Sequence, residues 1–522
     1  EDTNLFINIE NCSSIIINQI TTTKILLNGS LIGITFSPLK LHSFLKLCKR
    51  TGCLNILISV SLDYFNNELI ILTEPGRPMR PLHVVKNFKI NNFINKKNWF
   101  DFLIGNFLQD INNENIYTKI GYISPFAPDD NIDNVIKNME NKAGTIEYID
   151  VEEADKSYIA MFEHDITKQH THCEIHPSTI LSVVSANIPL CNHSFAARNI
   201  FHAAQSKQAI GLYTTNFNER FDTMSYLLHY PQKPIISTQI SYLTGSEFMY
   251  NGTNIIVAVM AYSGFNQEDS LMINKGAINR GFEEITYYKS VSLSTKTNNS
   301  KDKMFFCNPL KLIQEGKKII NFKNNANYKL LNDNGFIPKG TYVPPGKDTA
   351  VIGCILQRTV LKEIKRGTFT KLITEEEYID KSFITDDNYY GLIDKVYISN
   401  KSISDTDMVC KVRFLKVRQP ELGDKHSSRH GQKGVIGRIF DEEDMPYTKD
   451  GLKPDIIMNS HAFPSRMTIG HIVESVFAKL CCLKGNIGDG TVFIDFDKNK
   501  MQDELLTYNF DKNGNELLYN GY

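Results

Sequence analysis

Hydrophobic positions in the first part of the chain come in short β-rich runs, Ile15–Ile17, Lys24–Leu27, Leu57–Val60 and Leu69–Leu72, separated by Asn and Gly, which predicts a mixed α/β region from residue 1 to about 90. Three prolines and a glycine in Thr73–Pro81 predict an ordered connection without regular structure. From 106 to 142 the chain turns rich in Asn, Asp and Lys, the pattern of a surface insertion with helical patches. Asn199–Leu212 has helix-forming composition and is followed by a polar stretch and the breaker Tyr230–Pro234. Asn254–Tyr262 is a nearly continuous apolar run ending at Ser263–Gly264, which predicts a buried strand. Residues 281–410 read as a β module with Lys, Asn and Gly loops; Lys411–Arg418 follows as a basic strand, and Thr468–Leu483 as an amphipathic helix with Gly485 near its end. No repeat with a period of 20 to 50 residues is apparent.

The length, 522 residues, exceeds what single cores usually reach and predicts roughly three domains. Lys+Arg 57 against Asp+Glu 58 leaves a net charge of -1, so affinity for nucleic acid has to be argued from local clusters. The 10 cysteines form no C-x-x-C pair, which speaks against zinc ribbons and against a dense disulfide framework and predicts a reducing, intracellular setting. No apolar run approaches the roughly 18 to 20 residues of a membrane helix, and the N-terminal stretch lacks the basic and apolar segments of a secretory signal, so neither a membrane nor secretion is expected.

Against that neutral background, Gly423–Gly434 (GDKHSSRHGQKG) concentrates Lys425, Arg429 and Lys433 among three glycines. Glycine lets backbone approach a bulky anion and turn its N–H groups toward it, while Lys and Arg supply a point charge and a planar fork, so polyphosphate or nucleic acid is the implied ligand. Spacing of four would align the cations on a helix, but Gly431 and Gly434 favour a loop; a solvated charge run is the bland alternative. Glu268 and Asp269 follow the buried strand, where they would suit a divalent cation with nucleotide phosphates, or else Asp269 or Ser270 caps a helix starting at Leu271. Gln169–Pro177 is dense in metal-ligand types, with His170, His172 and Glu174 on one face of an extended strand; lacking a partner motif, it reads rather as a structural polar cluster. Gly485–Gly490 mimics a phosphate loop only superficially and reads as a turn.

Five blocks in order carry a family resemblance: Thr171–Leu181 (THCEIHPSTIL), Arg198–Pro234, Ala261–Gly281 (AYSGFNQEDSLMINKGAINRG), Gly423–Gly437 (GDKHSSRHGQKGVIG) and Asp455–Glu474 (DIIMNSHAFPSRMTIGHIVE). With them the chain resembles the second-largest, β-type subunit of multisubunit DNA-directed RNA polymerases, nearly end to end and most weakly in 106–142 and 281–410. The resemblance implies that Lys425 and Lys433 lie beside the RNA 3′ end and the incoming nucleotide's phosphates, that Arg198 and Arg466 hold the triphosphate, and that Gln208 touches the RNA backbone. Arg429 joins the cations expected at the nucleic acid. Glu268 and Asp269 then match an acidic pair near a second Mg2+ shared with the largest subunit, whose aspartates fix the first metal; zinc is not expected. A non-catalytic nucleic-acid scaffold of the same fold is the alternative.

Mapped on that architecture, residues 1–90 and 91–190 resemble two external domains, 191–280 and 411–522 a discontinuous, barrel-like hybrid-binding domain, and 281–410 a β-rich wall inserted into it. The fold class expected is thus mixed α/β and β, in several domains. Implied partners are the largest subunit and smaller assembly subunits, template DNA, transcript RNA and nucleoside triphosphates. The eukaryotic, archaeal or large-DNA-virus branch is closer than the bacterial one, so nucleus, cytoplasm and viral factory or virion all stay open. His426 stands where the family usually has an apolar residue. The family's protrusion, lobe and fork precede residue 1 and its anchor and clamp follow Tyr522, and the chain opens on Glu1 rather than Met. It is therefore expected to be the middle of a larger subunit or one piece of a split one.

Overall fold

A computed structural model of the chain describes residues 7–8, 22–86, 89–90, 98–107, 132–297, 302–346, 348–366, 369–399, 408–494 and 496–521. The run Ile15–Ile17 and most of the 106–142 insertion lie outside them. The chain divides into two compact units, Glu1–Ser182 and Val183–Tyr522.

In the first unit, β1 (Thr23–Leu27) and β2 (Ser30–Thr35) form a hairpin, α1 (Pro38–Arg50) follows, and β3 (Ser59–Asp63) and β4 (Glu68–Leu72) form a second hairpin. Parallel pairing of β1 with β4 makes one sheet. Ile25, Val60, Leu62 and Leu69 from its strands pack on Leu41 of α1. The runs expected over 24–27 and 69–72 are strands here to within a residue, and the one expected over 57–60 is a strand shifted to Ser59–Asp63. The Pro-rich connection is shorter than expected, because β5 (Met79–Lys86) begins inside it. Pro81 is tolerated since β5 has a neighbour on one side only at that level, β6 (Ile146–Asp150), while β8 (His172–Glu174), beside β7 (Ile159–Ala160), ends opposite Leu82.

A buried charge network joins α1 to this second sheet. Lys46 Nζ lies 3.0 Å from both Glu147 and Glu153, Lys49 Nζ 3.0 Å from Glu153, and Arg50 2.7 Å from Glu147. Burial opposes ionisation of Glu147, but Arg50, Lys46 and Lys49 outweigh it and hold the carboxyl well below the usual range. His172 joins the same network through Glu147, Glu174 pairs with Arg80, His170 bonds Thr167 and His176 bonds Ser178. The Gln169–Pro177 segment is therefore a set of satisfied structural contacts. Among the described residues no group of three or more His, Cys, Asp or Glu is placed to hold a metal ion.

The second unit is rich in β structure. Helix α2 (Ala196–Gln205) precedes β9 (Met224–Leu228), β10 (Val257–Val259) and β11 (Ser270–Asn274). Then come β12 (Ile285–Ser294), the long hairpin β13 (Cys354–Arg366) and β14 (Phe369–Asp380), β15 (Gly391–Ser399) and β16 (Val409–Arg418). An antiparallel sheet runs β9-β12-β16-β15, with Tyr342–Val343 at its edge. The basic strand expected over 411–418 is its centre: Val412 and Phe414 enter the core, and Arg413, 2% exposed, is bound by Asp394 and by the carbonyls of Phe217 and Arg220. The sheets of the described residues are open, and none closes into a barrel.

The remaining elements build the sheet that matters for function. These are β17 (Lys425–Ser427), β18 (Lys433–Phe440), β19 (Ile456–Met458), the short helix α3 (Ala462–Arg466) and α4 (Ile469–Lys484), which ends with Gly485 in the left-handed conformation as its sequence foretold. The sheet order is β10-β19-β11-β18-β17. Two expectations need correction here. The apolar run 254–262 yields only a three-residue strand, half buried and with Val259 41% exposed, because β10 sits at the sheet edge with one neighbour. Leu271 opens no helix: Ser270–Asn274 is a strand inserted between β18 and β19, its Met272 and Ile273 fully buried, and it is Asn274 that caps the following turn of helix. No described helix is long and apolar enough to cross a membrane.

Candidate functional site

Strand pairing explains how residues far apart in sequence meet. The 423–434 segment is a hairpin rather than a loop: β17 runs antiparallel to β18 with Ser427 opposite Lys433 and Lys425 opposite Val435. Its turn closes with Ser428 N–H donating to the Gln432 carbonyl, and Gly431 takes a positive φ of 69°. A Cβ at Gly431 would lie 2.6 Å from the Arg198 carbonyl oxygen, so the absent side chain is what lets α2 approach. Lys425 and Lys433 are exposed and make no ion pair among the described residues.

The arginines converge on this turn. Arg198 Nη1 donates to the Gly431 carbonyl at 3.3 Å. Arg466, at the end of α3, donates through Nη1 to Gln432 Oε1 at 2.7 Å and through Nη2 to Asp269. Asp269 is in turn anchored by its carbonyl, which accepts from Val435 N–H at 2.8 Å. Burial and then the charge of Arg466 lower the proton affinity of Arg198, partly offset by Asp269, so the two guanidinium groups feel each other. Arg198, Arg466, Lys425 and Lys433 against Asp269 and Glu268 leave a cationic surplus, which is the electrostatics of an anion site.

Asp269 keeps 55% of its side chain exposed despite its partner, and Glu268 is exposed with a positive φ of 53°. Ser263 at 53° and Gly264 at 80° share that backbone region, so the loop between β10 and β11 is strained at both ends. Asn266, 1% exposed, braces it by donating to the Met260 carbonyl at 2.7 Å. The loop, together with Asn459 and His461, lines a cleft of about 490 Å³. Two exposed carboxylates are hard donors suited to a divalent cation, but too few to enclose one.

Other expected residues are placed differently. Gln208 is exposed in the turn after α2, and it is Gln205 that touches the hairpin, accepting from Ser427 Oγ at 2.7 Å. Arg429 is turned inward to Glu474 on α4, whose other oxygen takes His430 Nε2. Burial works against that carboxylate's charge, but Arg429 and His430 outweigh it and hold Glu474 well below the usual range. His430 stacks on His471 at 5.4 Å; burial holds His471 and His202 neutral, with pKa values lowered to about 4. Burial also disfavours charge on His426, yet its bond to Glu283 outweighs this and raises its pKa. Sequence reasoning missed Gln432, Glu474 and Gln205 as members of the site. A carboxylate three residues after His471 in the largely apolar first half of the helix was the available signal for Glu474.

Comparison with known proteins follows the same division. The family model described as "RNA polymerase Rpb2, domain 6" matches residues 184–522, and that described as "RNA polymerase Rpb2, domain 4" matches 25–86. The chain is 35% identical to DNA-directed RNA polymerase II subunit RPB2 of Encephalitozoon cuniculi, over 98% of this chain and 42% of the relative. It is 35% identical to DNA-directed RNA polymerase subunit Rpo2 of Sulfolobus acidocaldarius, over 96% and 41%. It is 33% identical to DNA-directed RNA polymerase subunit 2 of Acanthamoeba polyphaga mimivirus, over 95% and 40%. The chain thus spans about two fifths of the length of these relatives.

Proposed function

The chain belongs to the RNA polymerase Rpb2 family, and on that premise we propose that it serves as the nucleotide- and hybrid-holding part of the second-largest subunit of a DNA-directed RNA polymerase. The observation that carries the reading is the meeting of Arg198, Asp269 and Arg466 at the hairpin turn that bears Lys433, through contacts that span 233 residues from Arg198 to Gly431 and 197 from Asp269 to Arg466. The reaction joins a 3′-hydroxyl to the α-phosphate of a nucleoside triphosphate and releases pyrophosphate, so catalysis is mainly positioning and charge stabilisation.

In this reading Arg198 and Arg466 grip the β- and γ-phosphates, while Lys433 and Lys425 neutralise charge between them and the RNA 3′ end. Gln208 lies along the RNA backbone. Arg429, engaged with Glu474, supports the hairpin rather than touching the transcript. Glu268 and Asp269 would hold part of the surroundings of a Mg2+ shared with the largest subunit, and that ion would supply charge neutralisation on the triphosphate. Template DNA, transcript RNA, nucleoside triphosphates, the largest subunit and smaller assembly subunits are the partners, in an intracellular setting. The segments 191–280 and 411–522 would embrace the hybrid as a barrel-like body, 281–410 would form the wall, and 1–90 and 91–190 the two external domains.

Lys433→Ala in the assembled polymerase tests the reading. Single-nucleotide addition should slow by about 10²-fold, the size of one removed transition-state donor. Unchanged elongation kinetics would return the hairpin to a non-catalytic scaffold.

A further inference from the structure

Gln432 stands between the two lysines' hairpin and Arg466, and its amide is fully committed. Its side chain is 5% exposed; Oε1 accepts from Arg466 Nη1 at 2.7 Å, and Nε2 donates to Thr468 Oγ1 at 2.7 Å and to the Ala462 carbonyl at 3.3 Å. The orientation of the amide is forced from both ends, because arginine can only donate and a carbonyl can only accept. Thr468 is fully buried between α3 and α4, so the anchor is itself immobile. Gly431, the preceding residue, binds Arg198, and Lys433 follows.

We propose that Gln432 is the positioning residue of this site: a neutral acceptor that, with Asp269, fixes Arg466 at both of its terminal nitrogens and so sets the arginine's aim relative to Lys433 and Arg198. The inference rests on the triphosphate reading above. With one bond at each terminal nitrogen, three of the five guanidinium N–H groups are left for a ligand. An amide suits this position better than a carboxylate. It orients the guanidinium without cancelling its charge, whereas glutamate would add a second counter-charge beside Asp269 and take the surplus away from the phosphates.

The test is nucleotide addition by the assembled polymerase on a primed RNA–DNA scaffold, with KM for the nucleoside triphosphate and kcat measured separately. Gln432→Leu should raise KM by roughly 10-fold, the worth of one bond to a charged group, with the thermal midpoint of the complex used as the folding control. Placed on top of Arg466→Ala, the same change should alter KM by less than about twofold, since there is no guanidinium left to aim. Multiplicative losses in the double variant, or a lower midpoint with KM unmoved, would reduce Gln432 to a packing residue. Should Gln432→Leu fail to assemble, Thr468→Val carries the test: it keeps the acceptor but frees the amide, and KM should rise several-fold in the Arg466 background and not in Arg466→Ala. If Arg466→Ala itself leaves KM and kcat unchanged, the triphosphate reading falls and this inference falls with it. An impaired Arg466→Ala with no coupling to position 432 overturns the inference alone.

Discussion

The first unit and the second each gather lysine, arginine and carboxylate groups tightly, yet to opposite ends. In the first unit Lys46, Lys49 and Arg50 meet Glu147 and Glu153 in a nearly dry interior, with Lys49 1% and Glu147 2% exposed. Three cations share two carboxylates there, yet each cation has a carboxylate oxygen within 3.0 Å, so the cluster fastens α1 to the sheet and presents no unpaired cation to solvent. In the second unit only Arg466 is bonded to a carboxylate, the half-exposed Asp269; Arg198 is bonded to a backbone carbonyl, and the hairpin holds Lys433 in solvent with no ion pair among the described residues. The difference is whether the cations are spoken for: a buried cluster in which every cation has its carboxylate is structural, and one that leaves cations unpaired at the surface is built for an anion that arrives.

That contrast can be broken or sharpened experimentally. Glu147→Ala takes away the carboxylate of Arg50 and leaves Lys46 and Lys49 crowded on Glu153 in the interior, and should cost roughly 3–5 kcal/mol of unfolding free energy by denaturant titration; a loss below about 1 kcal/mol would mean the network is dispensable. Acid should come next. His202 and His471 have folded pKa values of about 4 against an ordinary 6.5, so their contribution to stability is complete above pH 6.5 and drains away as the pH falls toward 4. A pH series of unfolding midpoints should show this loss, and His471→Leu should flatten it. Smaller again, Glu268→Ala combined with Asp269→Ala should raise the magnesium needed for half-maximal nucleotide addition by about 10-fold without moving the unfolding midpoint; an unaltered titration would make the pair a mere loop. At the bottom of the scale, Lys275→Ala breaks an exposed ion pair to Asp441 and should leave the midpoint where it was.

Local rules carried much of the secondary structure. The Gly485 cap, the strands at 24–27 and 69–72 and the basic strand over 411–418 follow from periodicity and turn residues alone. Where reading failed, a neighbour distant in sequence had decided the matter. Ser270–Asn274 is a strand because β18 and β19 flank it, and Asn254–Tyr262 is mostly not one because the sheet ends there. The charged residues of the site were visible as types, and a resemblance was needed to join Arg198 to Arg466. Which cations stay free was invisible: nothing in the spacing of Lys425, Arg429 and Lys433 says that the middle one turns back to Glu474.

The sheet order β10-β19-β11-β18-β17 also constrains how the molecule comes into being. Asp269 is laid down early, but the strands that hold it on either side end at Phe440 and Met458. A ribosome has to pass both before the acidic loop acquires its walls, and the contacts that bring in Arg198 and Asp269 close chain loops of 233 and 197 residues. Nascent chains halted short of Met458 should therefore leave the 261–274 segment open to protease, and this part of the protein is where a folding helper has the longest time to act.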